Sequence, residues 1–267
     1  MIRMLNTNAG LLKENGVNEP VEYLLVNDSP WAPVELPEES MEHLTVRVLE
    51  NPENLGIHRS RIRGIQAARG ELIAILDQDD EIVDSFLLSQ YRALGNGDAV
   101  ICNGWKEHKE GSSRIYRDKL KMSLVNCKLI NLMAANQIVS PGQSLLRKAA
   151  IPAGWLEYPM LTNGSDDLYL WLLYLQKGIK FRLNFENLYI HKQVGDNLSN
   201  SLEKMCQSDM EMCNLLSEHK LLPEKDIRKR LRMCRFLQES GYQNRVSLCN
   251  LWKYPDVMLL KLFARFC

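Results

Sequence analysis

Short apolar runs alternate with amphipathic stretches over residues 1–199, and from Ser199 onward the pattern is helical only, rich in Met, Leu and Lys. A helix is predicted over 1–16, with Ile2, Leu5, Leu11 and Leu12 as its apolar positions and Asn15-Gly16 as its stop. Val21–Val26 reads as a strand ending at Asn27-Asp28-Ser29-Pro30, where proline forbids further ladder pairing. A loop with four prolines between residues 30 and 52 surrounds a second strand, Leu44–Leu49. Asn54-Leu55-Gly56 turns into a helix from His58 to Arg69, with Ile57, Ile62, Ile65 and Ala68 inward and Gly70 at its end. A strand over 71–76, a helix over 84–94 and a strand over 99–102 follow. Residues 104–118 read as a hairpin or loop. Next come one helix over 119–137, with Leu120, Leu124, Leu129 and Leu132 inward, a turn at 139–143 and a short apolar piece at 144–146. The apolar helix 168–175 ends at Lys177-Gly178, and a last strand runs over 181–190.

Strands alternating with helices define an α/β class and imply a largely parallel, twisted sheet whose ligands bind outside the carboxyl ends of the strands. Asp28 and Asp77 both sit at such ends. The change of pattern divides the chain into an α/β domain over 1–199 and a helical C-terminal extension over 200–267.

Charge narrows the partners. Lysine plus arginine equal aspartate plus glutamate at 33 each, so no global field draws the protein to nucleic acid. Seven cysteines, odd in number and without a C-x-x-C pair, point to reduced thiols in a cytoplasm. No signal-peptide core opens the chain, and no apolar run approaches the ~18 residues a membrane span needs. The tail carries a basic stretch, Lys225–Arg235, and an apolar end, Val257–Phe266, punctuated by Lys261 and Arg265. Such an end either lies on the inner face of a membrane as a peripheral contact or packs back onto the preceding domain.

The densest chemistry is Asp77-Gln78-Asp79-Asp80, which releases three carboxylates at the end of a buried strand. That charge suits a divalent cation and phosphate, although an isolated D-x-D is more often an acidic turn solvating a strand end. Asp166-Asp167 is a second acidic pair. It serves either as base chemistry or as cap and first-turn acid on the helix that follows.

Order and spacing carry a resemblance. Asn54-x-Gly56, Ser60-Arg61, Gly64, Ala68-x-Gly70-Glu71, an apolar run and Asp77-x-Asp79-Asp80 resemble the core signature of family 2 glycosyltransferases. Asn27-Asp28-Ser29 resembles the family's acidic turn after its second strand. Asp166-Asp167 with Leu170-Trp171-Leu172 and Gly178 resembles its later acidic segment, and Tyr189–Ser199 its closing strand and loop. The resemblance covers 1–199 and implies a GT-A (Rossmann-like) mixed sheet flanked by helices. It implies that Asp28, Asp77 and Arg61 bind the nucleotide of a nucleotide-sugar donor, most simply a UDP-sugar, and that Asp79 holds Mn²⁺ or Mg²⁺ on the diphosphate. Asp167 is then the general base of a single inverting displacement, its proton affinity raised by the adjacent Asp166.

The acceptor is implied to be a carbohydrate or lipid-linked hydroxyl, in bacterial surface polysaccharide or glycolipid synthesis. Ser140-Pro-Gly-Gln143 resembles the acceptor-side segment. His191 is a weaker candidate for the metal, Trp171 reads as core, and Trp105 and Trp155 fall in expected loops where an indole would stack on a sugar.

Three positions and one missing strand depart from the family pattern. The usual first strand is absent, Ile62 replaces asparagine, Leu173 replaces arginine, and Val194 stands where a histidine is common. These keep open a catalytically silent nucleotide-sugar-binding protein. Asp77-x-Asp79 after an apolar strand also resembles the first motif of aspartate-nucleophile phosphatases, but residue 81 is glutamate where that motif wants threonine.

Overall fold

A computed structural model describes residues 1–36, 41–108, 111–192, 201–242 and 252–266. Packing divides the chain into two units that interleave in sequence. Met1–Ile115, Ser140–Ile151 and Phe181–Gln193 form the first, and Tyr116–Val139, Pro152–Lys180 and Val194–Cys267 the second. The division by packing therefore does not follow the 199/200 change of pattern.

The first unit holds all the described strands. Its elements are α1 (Ile2–Glu14), β1 (Val21–Asn27), β2 (Leu44–Glu50), α2 (Ile57–Ala67), β3 (Leu72–Ile73), β4 (Glu81–Ile82), α3 (Phe86–Leu94), β5 (Ala99–His108), β6 (Gly111–Arg114), β7 (Ser144–Arg147) and β8 (Arg182–Lys192). β1 and β2 pair in parallel as a two-stranded sheet, and the others form a sheet in the order β3-β7-β5-β8-β4, with β6 on β5. In that larger sheet only β5 and β8 run parallel. The sheet is thus mixed and mostly antiparallel rather than largely parallel. The difference arises because β4 and β7 are short returning segments that alternation of strands and helices does not reveal, while β6 closes the hairpin that is one of the two readings of 104–118.

Two buried polar residues align the helices with this sheet. Asn8 is fully buried on α1, donating to the carbonyls of Met4 and Val83 and accepting from the Leu87 N–H, which fixes α1 against the start of α3. Gln143 donates to the Cys102 carbonyl while Gln90 donates to the Gln143 carbonyl, linking α3, β5 and the turn before β7. Around them Leu5, Leu44, Ile82, Phe86, Cys102, Leu188 and Tyr189 form the core.

The second unit is helical among its described residues: α4 (Lys119–Ser123), α5 (Lys128–Met133), α6 (Ala153–Glu157), α7 (Asp166–Gln176), α8 (Leu202–Glu218), α9 (Glu224–Glu239) and α10 (Pro255–Phe266), with a 3₁₀ turn at Leu124–Asn126. α7 is its centre, because Leu168–Tyr174 are all buried and a helix apolar on every side has to be surrounded. No helix among the described residues is long and apolar enough to cross a membrane.

Several expectations are corrected. The strand expected over 71–76 pairs only at Leu72–Ile73, while Ala74 and Leu76 still pack on the core. The helix expected over 119–137 is broken at Cys127, which is extended. Asn131 holds the break by donating to the carbonyls of Val125 and Cys127, and Leu120 and Leu129 consequently face solvent, 58% and 39% exposed. Trp155 is not in an exposed loop: it lies buried in α6, donating Nε1–H to the Asp166 carbonyl. Trp105 lies on β5, half-buried, with the Arg114 guanidinium 5.6 Å from its ring. Trp171 is core, as expected.

One close approach governs the middle of the sheet. The β5–β8 register shifts between Cys102 and Gly104, and there a Cβ on Gly104 would stand 2.1 Å from the Tyr189 carbonyl oxygen. The backbones meet that closely only without a side chain. Gly104→Ala is therefore expected to lower the urea unfolding midpoint by an amount worth at least about 1–3 kcal/mol; an unchanged midpoint would show that the strands separate freely.

Candidate functional site

The acidic turn after β3 places its three carboxylates in three different environments. Asp77 is part-exposed and takes a 2.6 Å ion pair from Arg61, which α2 presents. Asp80 points inward and is buried. Its Oδ2 accepts from the Tyr189 hydroxyl and lies 3.3 Å from Ser140 Oγ, and its Oδ1 lies 3.1 Å from His191 Nδ1. Asp79 lies between them, half-buried, and has no hydrogen bond or ion pair among the described residues.

Charge compensation therefore differs along the turn. Arg61 offsets Asp77, and hydrogen-bond donors from two other segments surround Asp80. Only Asp79 has no partner of either kind among the described residues. Burial, with the Asp80 carboxylate beside it, pushes the Tyr189 hydroxyl well above the ordinary phenol range, so it stays protonated and donates. A hydrogen on His191 Nδ1 given to Asp80 leaves Nε2 as the lone-pair nitrogen, the arrangement by which a carboxylate fixes a ligand histidine's tautomer.

Asp28 does something the sequence reading did not anticipate. Its Oδ1 accepts from Asn51 Nδ2 and the Leu55 N–H, both at 2.7 Å, and its Oδ2 from the Gly56 N–H at 2.9 Å. Gly56 has φ 81°, a left-handed conformation that glycine adopts without strain, and it immediately precedes α2. Asp28 thus grips the loop that launches the helix carrying Arg61.

In the second unit, Asp166 and Asp167 are the first-turn acids of α7, where the helix dipole favours negative charge. Asp166 is buried. Asp167 is half-buried and accepts from Asn136 Nδ2 at 2.8 Å, so it is the more accessible of the two. The loop leading to them is clamped by α8. Glu211 accepts from the N–H groups of Leu161 and Thr162 at 2.6 and 2.8 Å, Ser208 Oγ accepts from the Ser165 N–H at 3.0 Å, and Asp209 Oδ1 accepts from Ser165 Oγ at 2.8 Å. Arg230 of α9 donates to the other oxygen of Asp209 and to the carbonyls of Asn131 and Leu132, with both members of the ion pair buried.

The first unit thus brings together Asp77, Arg61, Asp80 and His191 around the acidic turn, with Asp28 at the loop that starts the helix carrying Arg61. Sequence reasoning missed Ser140 and Tyr189 as partners of Asp80, and Asp209 and Arg230 in the second unit. Signals existed for some of them. Tyr189 and His191 are two apart on a strand and so share a face. Asp209 interrupts the buried row Cys206, Cys213, Leu216, and Arg230 the row Ile227, Cys234, Leu237, each at helical spacing. Val194 lies outside the described residues.

A mixed sheet flanked by helices, with an acidic turn after a short strand, defines a GT-A glycosyltransferase fold. Its structural neighbours agree: TarS of S. aureus, residues 1–349 in complex with UDP-GlcNAc, superposes with a TM-score of 0.53 at 13% identity, covering 91% of this chain and 72% of that one. TarS itself gives 0.54 at 14% identity, over 99% of this chain and 46% of that one. Residues 9–152 match the family model of glycosyl transferase family 2, and the chain belongs to that family. EpsH of Bacillus subtilis (strain 168), assigned by name as a glycosyltransferase, is 36% identical over 91 residues, which is 33% of this chain and 26% of that protein. The matched stretch thus spans about a quarter of that relative's length.

Two outcomes test these environments. Asp80→Ala removes the carboxylate that the Tyr189 hydroxyl and His191 Nδ1 face and should lower stability by at least about 1–3 kcal/mol, whereas Asp79→Ala should change it by no more than about 0.5 kcal/mol; equal effects in denaturant titrations would contradict the assignment. Glu211→Ala should speed amide exchange at Leu161 and Thr162 roughly 2- to 10-fold, with exchange in α3 unchanged.

Proposed function

We propose that this protein transfers a sugar from a nucleotide-diphosphate donor, a UDP-sugar, to an acceptor hydroxyl on a carbohydrate or lipid-linked molecule, inverting the anomeric centre. The observation that carries the reading is Asp79: a half-buried carboxylate with no partner of its own among the described residues, beside an aspartate held by arginine. Family membership and the UDP and UDP-GlcNAc complexes of TarS support it.

The residues fit a divalent cation of the Mn²⁺ or Mg²⁺ kind. No group of three or more His, Cys, Asp or Glu side chains converges as a protein cage among the described residues. An oxygen-preferring ion would therefore be held by Asp79 with donor phosphates and water, and His191 Nε2 is a further candidate ligand. When bound, such a cation neutralises charge on the departing nucleoside diphosphate.

The chain's own residues supply the rest. Arg61 and Asp77, held together, form a rigid polar pair for the nucleotide. Asp28 sets the position of α2 and so of Arg61, and any contact it makes to the nucleotide adds to bonds it already has. Asp167 acts as general base, removing the acceptor's proton as the oxygen attacks, and Asn136 orients its carboxylate. A surface polysaccharide or glycolipid acceptor is part of the same reading.

Titration with UDP and Mn²⁺, together with UDP release from a panel of UDP-sugars, tests this and the silent-binder alternative at once. Asp79→Ala should abolish the metal-dependent part of UDP binding. Asp167→Asn should leave UDP binding intact and slow transfer about 100- to 10,000-fold. UDP binding without turnover on any donor and acceptor pair would favour the silent binder, and metal-independent binding would remove Asp79 from its role.

A further inference from the structure

The last helix is apolar on two sides. Val257, Met258 and Ala264 are buried, with Ala264 packed against Leu124, Ile130 and Ala134, so one face of α10 belongs to the core of the second unit. Leu259, Leu262, Phe263 and Phe266 fall at i, i+3, i+4 and i+7, which places them on one stripe, and all four are exposed, Leu259 by 68% and Phe266 by 67%. Trp252, just ahead of the helix, is 89% exposed.

Cations gather at the C-terminal end of this helix. Arg117 donates to the Phe266 carbonyl and Lys121 Nζ to the Ala264 carbonyl, which ties α4 to the C-terminal end of α10 and sets positive charge where the helix dipole is negative. Lys119 and Arg265 are exposed on the same two elements, and so is Leu120. The neighbouring acids are already engaged: Asp118 by Arg117 and the Lys121 N–H, and Asp256 by Arg232.

We propose that this face of α10 docks on the surface of an anionic lipid bilayer. A solvent-facing apolar row with phenylalanines and a tryptophan ahead of it, with lysine and arginine at its C-terminal end, has the chemistry of an interfacial helix: the apolar side chains enter the acyl boundary and the cations meet lipid phosphates. A second copy of this chain is the poorer occupant, because a two-fold contact through this face would bring one set of cations against the other. The docking is independent of sugar transfer and stands or falls without it.

Co-sedimentation of the full chain with vesicles decides the matter. Binding is expected to vesicles of phosphatidylcholine mixed with phosphatidylglycerol, weakening as salt is raised, and not to phosphatidylcholine alone. Phe263→Glu with Phe266→Glu should weaken binding about tenfold or more with an unchanged melting temperature, since both side chains are exposed. Lys119→Glu with Arg265→Glu should do the same. Failure to bind the anionic vesicles overturns the proposal, as does a dimer in solution that Phe263→Glu dissociates. Equal binding to both vesicle types overturns the anionic assignment.

Discussion

A carboxylate withdrawn from water has to be met by donors, and Asp80 imposes that requirement on the first unit. It follows the turn after β3 and immediately precedes β4, and it is satisfied only if the segment before β7 brings Ser140 and strand β8 brings Tyr189 and His191. Three stretches distant in sequence are thereby held at one point. The glycines nearby serve the same end. Gly104 lets β5 approach the Tyr189 backbone, and a Cβ on Gly142 would stand 2.5 Å from the Tyr189 ring. The tyrosine can reach Asp80 because both positions lack a side chain.

The second unit solves a similar problem with an ion pair. Asp209 and Arg230 are both buried, and such pairs often contribute little net stability, because desolvation offsets the attraction. What this one supplies is placement. Arg230 also satisfies carbonyls at the end of α5, and Asp209 passes the constraint to Ser165, the residue before α7. The helices beyond residue 200 thus belong to the build of the acidic turn at 166–167 and are not a mere appendage to it.

Legibility in the sequence followed the length of each element and the locality of its interactions. α1, α2, α7 and the parallel β1–β2 pair were readable because a helical or strand period runs through each of them, with stops such as Asn15-Gly16 and Pro30 at the ends. β4 is too short to show a period, and the break at Cys127 depends on an Asn131 amide that outcompetes helical continuity through contacts within its own turn. Around the acidic turn, the carboxylates were visible as residue types, but their different surroundings were not. Whether an aspartate in Asp77-x-Asp79-Asp80 is paired, buried or open depends on Arg61, Ser140 and Tyr189, which spacing alone cannot bring near it.

That difference of surroundings is what the proposed role of Asp79 rests on. Three adjacent carboxylates with equal exposure would repel one another and attract a cation loosely and without direction. Here Arg61 offsets the first, and donors from Ser140, Tyr189 and His191 surround the third, so among the described residues the middle one alone of the three has no partner, on a backbone pinned from both sides. In the proposed role of Asp79, a cation arriving there would meet a fixed position rather than a mobile cluster, and little ordering would remain to oppose its binding. In that proposal the burial of Asp80 and the lack of a partner for Asp79 among the described residues are two parts of one arrangement, because the first removes the freedom that the second would otherwise lose on binding.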